Sequence, residues 1–211
     1  MKYSCIDCGT IHCEHQDGRY PDFCLTESLD PEIRKEVLLR YSEPDNKKVM
    51  TNAAHVELDG YGKWPRVQET VEFAKRMGYR KIGIATCVGL IEESRKLARI
   101  LRSHGFEVLG VACKVGAVPK QEMGLDEACN EVGCISCNPI LQAELLNREK
   151  TELNIVMGLC VGHDSLFYKY SQAVTTTLVT KDRVTGHNPV AALYTSNSYY
   201  SRLYGDKNDE V

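Results

Sequence analysis

A chain of 211 residues with 43% hydrophobic and 26% charged positions can bury one good core or two small ones, which excludes a disordered or collagen-like chain. Its longest apolar runs, such as Ile155 to Val161, fall far below the ~20 residues of a membrane-spanning helix, and no basic-then-apolar leader stands at the start, so a cytoplasmic protein without a membrane partner is expected. A net charge of -3 with no block of basic residues gives no electrostatic ground for a nucleic-acid partner.

The ten cysteines fall well short of the ~8–10% that marks a disulfide scaffold. In a reducing compartment such thiols are more often metal ligands or catalytic groups than bridges, which makes metal chemistry the first reading. Four of them lie in a polar head over residues 1–28, spaced as Cys5-Ile6-Asp7-Cys8-Gly9, then Cys13, then Cys24. The head carries Gly9, Gly18 and Pro21 and has no apolar periodicity, so something other than hydrophobic burial must order it. Cys-x2-Cys-Gly is the turn that aims two sulfurs at one zinc ion, and iron–sulfur clusters also draw four thiolates from such loops. His12 and His15 could each replace a sulfur. The spacing does not choose between the metals.

From residue 29 onward the pattern changes to that of an α/β domain. Asp30-Pro31 is a helix start, followed by Ile33, Val37 and Tyr41 at steps of four and an end near Ser42. Residues 43–63 are polar, contain Gly60 and Gly62, and read as a connecting loop in which Ala53 to Val56 could begin or cap an element. After Trp64-Pro65 a helix presents Val67, Val71, Ala74 and Met77 on one face and stops at Gly78. Lys81 to Thr86 reads as a buried strand. The next helix carries Leu90, Ser94, Leu97, Ala98 and Leu101 and stops at Gly105, and Phe106 to Ala112 is the second strand. A helix opens at Asn138-Pro139, Asn154 to Leu159 is the third strand, and Ala173 to Thr180 is the fourth, rich in β-branched residues. Asn188-Pro189 starts a last helix, and Gly205 to Val211 is a charged tail. Strands alternating with helices imply a Rossmann-like parallel sheet with helices on both faces, because each crossover must return the chain to the same end.

The remaining cysteines follow these strands. Cys87, Cys113 and Cys160 each stand just after a strand, the first and last in the same Cys-Val-Gly phrase. The carboxyl ends of parallel strands share one edge, where open α/β folds place ligands, so three thiols should converge there. A cysteine just before a helix N-terminus has its thiolate favoured by the exposed N–H groups. Cys137, directly before Asn138-Pro139, is the natural fourth ligand; Cys134 or Cys129 could replace it or act as a redox partner. His163 and Asp164 offer an acid/base group beside Cys160, or else a helix cap and a surface histidine. Lys114, Lys120 and Arg183 could present charge to an anionic substrate at the same edge, and His187 in Gly186-His187-Asn188-Pro189 has no evident task.

With Cys5-x2-Cys8-Gly9, Ile82-Gly-Ile-Ala-Thr-Cys87, Val111-Ala-Cys113-Lys-Val-Gly116, Cys137-Asn-Pro-Ile-x-Gln142-Ala143, Gly158-Leu-Cys160-Val-Gly-His163-Asp-Ser-Leu-Phe167 and Lys181-Asp-Arg183-Val-x-Gly-His187-Asn-Pro189, the chain resembles the DUF1847 family over nearly its whole length. That family is described as cysteine-rich, metal-binding proteins, mostly of anaerobic bacteria and archaea. The resemblance implies metal ligation by these cysteines, and its anaerobic distribution favours iron–sulfur over zinc. Cys129 and Cys134 fall outside the shared motifs.

The leading expectation is an iron–sulfur protein, 4Fe-4S favoured, with Cys87, Cys113, Cys137 and Cys160 holding a cluster at the strand ends and Cys5, Cys8, Cys13 and Cys24 holding a metal in the head. His163, Asp164 and Lys114 are the candidate catalytic groups. If only three thiols bind, one iron stays open as a Lewis acid toward a small molecule, giving a cluster-dependent lyase or desulfidase. The rival is a zinc-containing binding or regulatory module with redox-sensing cysteines. Expected partners are a small-molecule substrate or redox partner, with self-association left open. A third class, a nucleotide-binding Rossmann protein, lacks its fingerprint, since no G-x-G-x-x-G lies between a strand and a helix, and retention on a nucleotide affinity column would revive it.

Overall fold

A computed structural model of the chain describes residues 3–16 and 18–205; the charged tail beyond Gly205 lies outside them. By its internal contacts the chain divides into two units, the residues through His55 and those from Val56.

In the first unit no described residue is buried. The head is two single turns of 3-10 helix, Cys5–Asp7 and His12–Glu14, joined by loops. Asp7 caps the first turn by accepting from the N–H and hydroxyl of Ser4 at 2.7 and 3.0 Å, and the Cys8 N–H closes it onto the Cys5 carbonyl at 3.3 Å. Helix α1 (Pro31–Ser42) starts where the Asp-Pro signal puts it, with the Asp30 carboxylate accepting from the Glu32 N–H at 2.8 Å. Residues 43–63, which read as a loop, are mostly a second helix, α2 (Pro44–Gly60). Pro44 suits a first helical turn, Ala53 and Ala54 favour the helix interior, and no further breaker occurs before Gly60. The polar composition that suggests a loop belongs instead to a helix with almost no buried face, only Val56 and Gly60 being buried.

The second unit is an α/β sheet domain. After α3 (Arg66–Met77), strands β1 (Lys81–Thr86), β2 (Glu107–Ala112), β3 (Leu153–Met157) and β4 (Val174–Val179) alternate with α4 (Ile91–Ser103), α5 (Pro139–Arg148) and α6 (His163–Tyr170), and a short α7 (Val190–Tyr194) follows. All three strand pairs are parallel, in the order β2-β1-β3-β4. Each strand lies within two residues of its expected bounds. Periodicity does not disclose α6, whose eight residues bury only Phe167.

Alternation along the strands divides the core. Ile82, Ile84, Ile155 and Met157 pack with Leu97, Ala98 and Leu101 of α4 and Val71 and Ala74 of α3. Ala85, Val111 and Val156 face the other way, onto Ala143 and Leu146 of α5 and Phe167 of α6. Burial on both faces explains the unbroken apolar runs of β1 and β3. No helix among the described residues is long and apolar enough to cross a membrane.

The chain leaves β1 toward β2 through α4, then crosses back through α5 to β3 on the opposite face. The strand order therefore reverses between β1 and β3, and their carboxyl ends flank the crevice where open sheets receive ligands. Gly158 makes the turn out of β3 at φ +68, and a Cβ there would lie 2.1 Å from Leu90 Cδ1. Gly158→Ala should therefore destabilise the domain by about 2 kcal/mol or more through backbone strain and overpacking, read as a lower urea midpoint at unchanged m-value.

Candidate thiolate site at the sheet edge

The register of β1 with β2 builds the first half of the site. Thr86 pairs with Ala112, and the Cys113 N–H donates to the Thr86 carbonyl at 2.8 Å, so Cys87 and Cys113 are lateral neighbours one step beyond the sheet. Both continue the face shared with Ala85 and Val111, and both are buried, at 7% and 2% exposure. On its other side the Cys87 N–H donates to the Met157 carbonyl at 3.0 Å, fixing it against β3.

Cys137 arrives from a long excursion. Between Cys113 and α5 the chain runs out through two 3-10 segments and returns through a bridge between Pro119 and Ile135. Asn138 ends the excursion in two ways. Its N–H donates to the Cys113 carbonyl at 2.7 Å, and its side chain caps α5 by accepting from the Leu141 N–H at 3.1 Å. The backbone bond brings the Cys137 thiol to Cys113. Gln142, fully buried one turn into α5, donates to the carbonyls of Thr86 and Val111 at 3.2 and 2.7 Å and so clips the ends of β1 and β2 together. Sequence reading gave Gln142 no role, since a lone polar residue on an amphipathic helix carries no local signal of burial.

The outcome is a row, Cys87–Cys113–Cys137–His163, in which each side chain shifts the titration of the next. Cys113 is the protonated thiol between two sulfur acceptors: its neighbours Cys137 and Cys87, then burial, push its pKa far up. The Cys113 donor pulls Cys87 down to about 5 against burial, aided by the Gly89 N–H and Lys181. It pulls Cys137 down to about 4, aided by His163 and Lys114. Cys137 raises the pKa of His163 from the ordinary imidazole value against the opposing effect of burial, which favours the thiolate–imidazolium form of the pair.

The fourth strand-end thiol, Cys160, accepts from the Arg183 guanidinium at 3.0 Å, and the field of that guanidinium also reaches Cys87 and Cys137. Arg183 thus touches one of the four sulfurs and acts on two others through its charge. Lys181 approaches the same point, its Nζ 3.3 Å from where a Cβ on Gly89 would stand, so the glycine leaves room for the cation beside Cys87. Lys181 was not anticipated; the cue was its place after β4, at the same edge as the cysteines.

The other sequence candidates divide clearly. Lys114 lies at the edge but its Nζ donates to the Ile135 carbonyl. Asp164 stands in the first turn of α6 and accepts from the Ser165 N–H at 2.8 Å. Lys120 is buried within the excursion, donating to the Cys129 carbonyl, while Cys129 and Cys134 are exposed there and outside the row. His187 takes a structural part, its Nδ1 accepting from the Asp182 N–H at 3.1 Å. In the head, Cys5 and Cys13 are exposed and Cys8 and Cys24 half-buried. Cys8 Sγ lies 3.3 Å from Thr10 Oγ1, and that hydroxyl and the neighbouring N–H groups lower its pKa.

Among the described residues no three His, Cys, Asp or Glu side chains surround a point that could hold a single metal ion. At the sheet edge Cys113 keeps its proton between Cys87 and Cys137, and a thiophilic centre would have to displace that proton. The donor chemistry fits such a centre: four sulfurs, two already drawn toward the thiolate, with three cationic side chains to offset their charge.

Iodoacetamide labelling of Cys137 in metal-free protein should keep its neutral-pH rate down to about pH 5, whereas an ordinary thiol of pKa ~8.5 slows about tenfold per unit below neutrality. Cys113→Ala removes the donor and should move the fall of that profile upward by about one unit or more, as measured by mass spectrometry of the labelled peptides.

The chain matches the family described as "Protein of unknown function (DUF1847)" over residues 24–178, a span that takes in Cys24 and all six later cysteines but not Cys5, Cys8, Cys13 or Arg183. It is also 45% identical over 178 residues to an uncharacterized protein of Methanocaldococcus jannaschii, covering 84% of this chain and 91% of the relative. From these two matches, the chain is a member of the DUF1847 family.

Proposed function

We propose that the protein is a metal-thiolate protein whose sheet-edge cysteines Cys87, Cys113, Cys137 and Cys160 hold an iron–sulfur cluster, 4Fe-4S favoured, in the service of a sulfur-handling or lyase-type reaction on a small molecule. The observation that carries this reading is the row Cys87–Cys113–Cys137–His163 at the strand-order reversal, with Arg183 bonded to Cys160 and its charge felt at Cys87 and Cys137. Structural zinc sites are closed and need no neighbouring acid, whereas these thiols lie in the crevice that α/β enzymes use, beside the histidine His163. Held by three of these four thiols, a cluster would keep one iron uncommitted and would supply Lewis acidity toward a sulfur or oxygen atom; held by all four it would have no open iron. Around it, Arg183 and Lys181 offset thiolate charge, Lys114 adds a third cation, and His163 holds a proton next to Cys137 that it can pass to a leaving group.

Anaerobic purification, followed by reconstitution with iron and sulfide, should give a brown protein, and Cys160→Ser should lower its iron content. A colourless protein without iron after both steps overturns the cluster.

The head is read as a second thiolate site formed by Cys5, Cys8, Cys13 and Cys24, with zinc the alternative metal. The Cys5–Cys8 turn, closed by the Cys8 N–H, supports it. A segment with no buried residue draws its order from such a site, on the order of 10 kcal/mol of apparent binding energy, so metal and local order should be lost together. Cys8→Ser should therefore expose residues 1–28 to protease while the sheet domain keeps its cooperative melt. A variant whose head stayed protected and metal-loaded would show that other residues are the ligands. Metal content per chain with and without residues 1–28 distinguishes a cluster in the domain from zinc in the head.

A further inference from the structure

On the face of the sheet opposite the thiol row, a cavity of about 290 Å³ opens between α4 and the edge strand β2. Its apolar wall is Ile84, Ile91, Ala98 and Ala112, and its floor is the buried pair Ser94 and Thr86, whose hydroxyls bond to each other at 2.6 Å. Thr86 in turn donates to the Cys87 carbonyl at 3.0 Å, so both hydroxyl protons are committed. The rim is Arg95, Arg99 and Arg102, which succeed one another at steps of four and three and so share one face of α4.

Two features distinguish this cleft from a packing defect under a charged helix. Gly110 sits in the edge strand where the register requires the partner of Ile84, and a Cβ built there meets nothing within 4 Å. Any larger residue would fill the space, and the backbone at Gly110 has no positive φ that would demand glycine. The three arginines are also unequally occupied. Arg95 pairs with Glu92, and Arg102 is held to the Val108 carbonyl at 3.0 Å, but Arg99 makes no hydrogen bond or ion pair among the described residues. A guanidinium anchored by one arm and a second left free frame the mouth of an apolar pocket.

The geometry points to a binding site for a small organic anion, with an apolar body against Ile84, Ile91, Ala98 and the open space over Gly110, and a carboxylate or phosphate gripped by Arg99 and Arg102. Guanidinium pairs suit both oxyanions through parallel N–H donors. The volume stands at the lower end of ligand pockets, which fits a single ring or short chain and excludes a dinucleotide. The site does not depend on the thiolate reading, because it uses the other face of the sheet and none of the cysteine side chains.

Titration of the full chain with phenyl phosphate, benzoate, phenol and inorganic phosphate, followed by the amide signals of Gly110 and Ala112 in two-dimensional NMR, tests it. Phenyl phosphate or benzoate should bind saturably and shift those amides, and whichever binds more tightly identifies the oxyanion. Phenol and inorganic phosphate should each bind at least about tenfold more weakly, since each lacks half of the recognition. Arg99→Gln should weaken the aryl anion about tenfold, and Gly110→Leu should abolish binding by filling the cavity. If Gly110→Leu loses its cooperative melt, Ala112→Leu and Arg99→Gln decide instead. The inference is overturned if neither aryl anion saturates below about 10 mM. It is equally overturned if the cavity-filling and Arg99→Gln variants bind as the parent does, which would put the anion at Lys114, Lys181 and Arg183, or if inorganic phosphate binds as tightly as phenyl phosphate.

Discussion

The parallel register of β1 against β2 is the constraint on which the thiol site rests, because it places Cys87 beside Cys113 before any side-chain interaction is made. One backbone bond, from the Cys113 N–H to the Thr86 carbonyl, fixes that pair, and a second, from Asn138 to the Cys113 carbonyl, brings Cys137 to it. A slip of one residue would turn Cys113 to the opposite face, toward α4, and the row could not form. Gln142 reinforces the same junction from α5 by bonding carbonyls of both strands. Sheet geometry and sulfur chemistry are therefore one problem here, and the buried polar residue between them belongs to both.

Bringing thiols together creates an electrostatic difficulty that the fold meets with neighbours from three strand ends. Two unit charges ~4 Å apart repel by about 4 kcal/mol at an effective dielectric of 20, so adjacent thiolates need either a proton between them or cations around them. The structure has both. Cys113 keeps the proton, while Lys114 after β2, His163 after β3, and Lys181 and Arg183 after β4 supply positive charge. All these loops leave the carboxyl ends of strands, the one place where parallel strands deliver side chains from distant parts of the chain to a common point. The amino ends of the strands carry ordinary pairs instead, such as Lys81 with Glu149 and Glu107.

The two units contrast in what holds them. The sheet domain buries aliphatic side chains on both faces, whereas no described residue through His55 is buried and Ile6 is 95% exposed. Local bonds such as the Ser4–Asp7 cap order single turns and nothing larger. Hydrophobic free energy scales with apolar area removed from water, so the head has no comparable source of order within itself. Its cysteines are its one concentrated chemical resource, which is the physical ground for reading them as ligands.

Composition, periodicity and punctuation were sufficient for the strands, for most of the helices that flank them, and for thiols at one sheet edge, because all of these are encoded within a dozen residues. Short apolar runs mark β1 and β3, proline and glycine mark the ends of α1 and α3 and the start of α5, and Cys87, Cys113 and Cys160 each follow a strand. The polar stretch that became α2 misled, since a helix with little buried face has the composition of a loop. Only the tertiary structure decided that Cys137 joins the row while Cys129 and Cys134 stay in the excursion, that Cys160 meets Arg183, and that Gln142 is buried. Those choices depend on how a loop of more than twenty residues closes and on which strand lies next to which. Such contacts join residues far apart in sequence and leave no period or spacing in the chain to announce them.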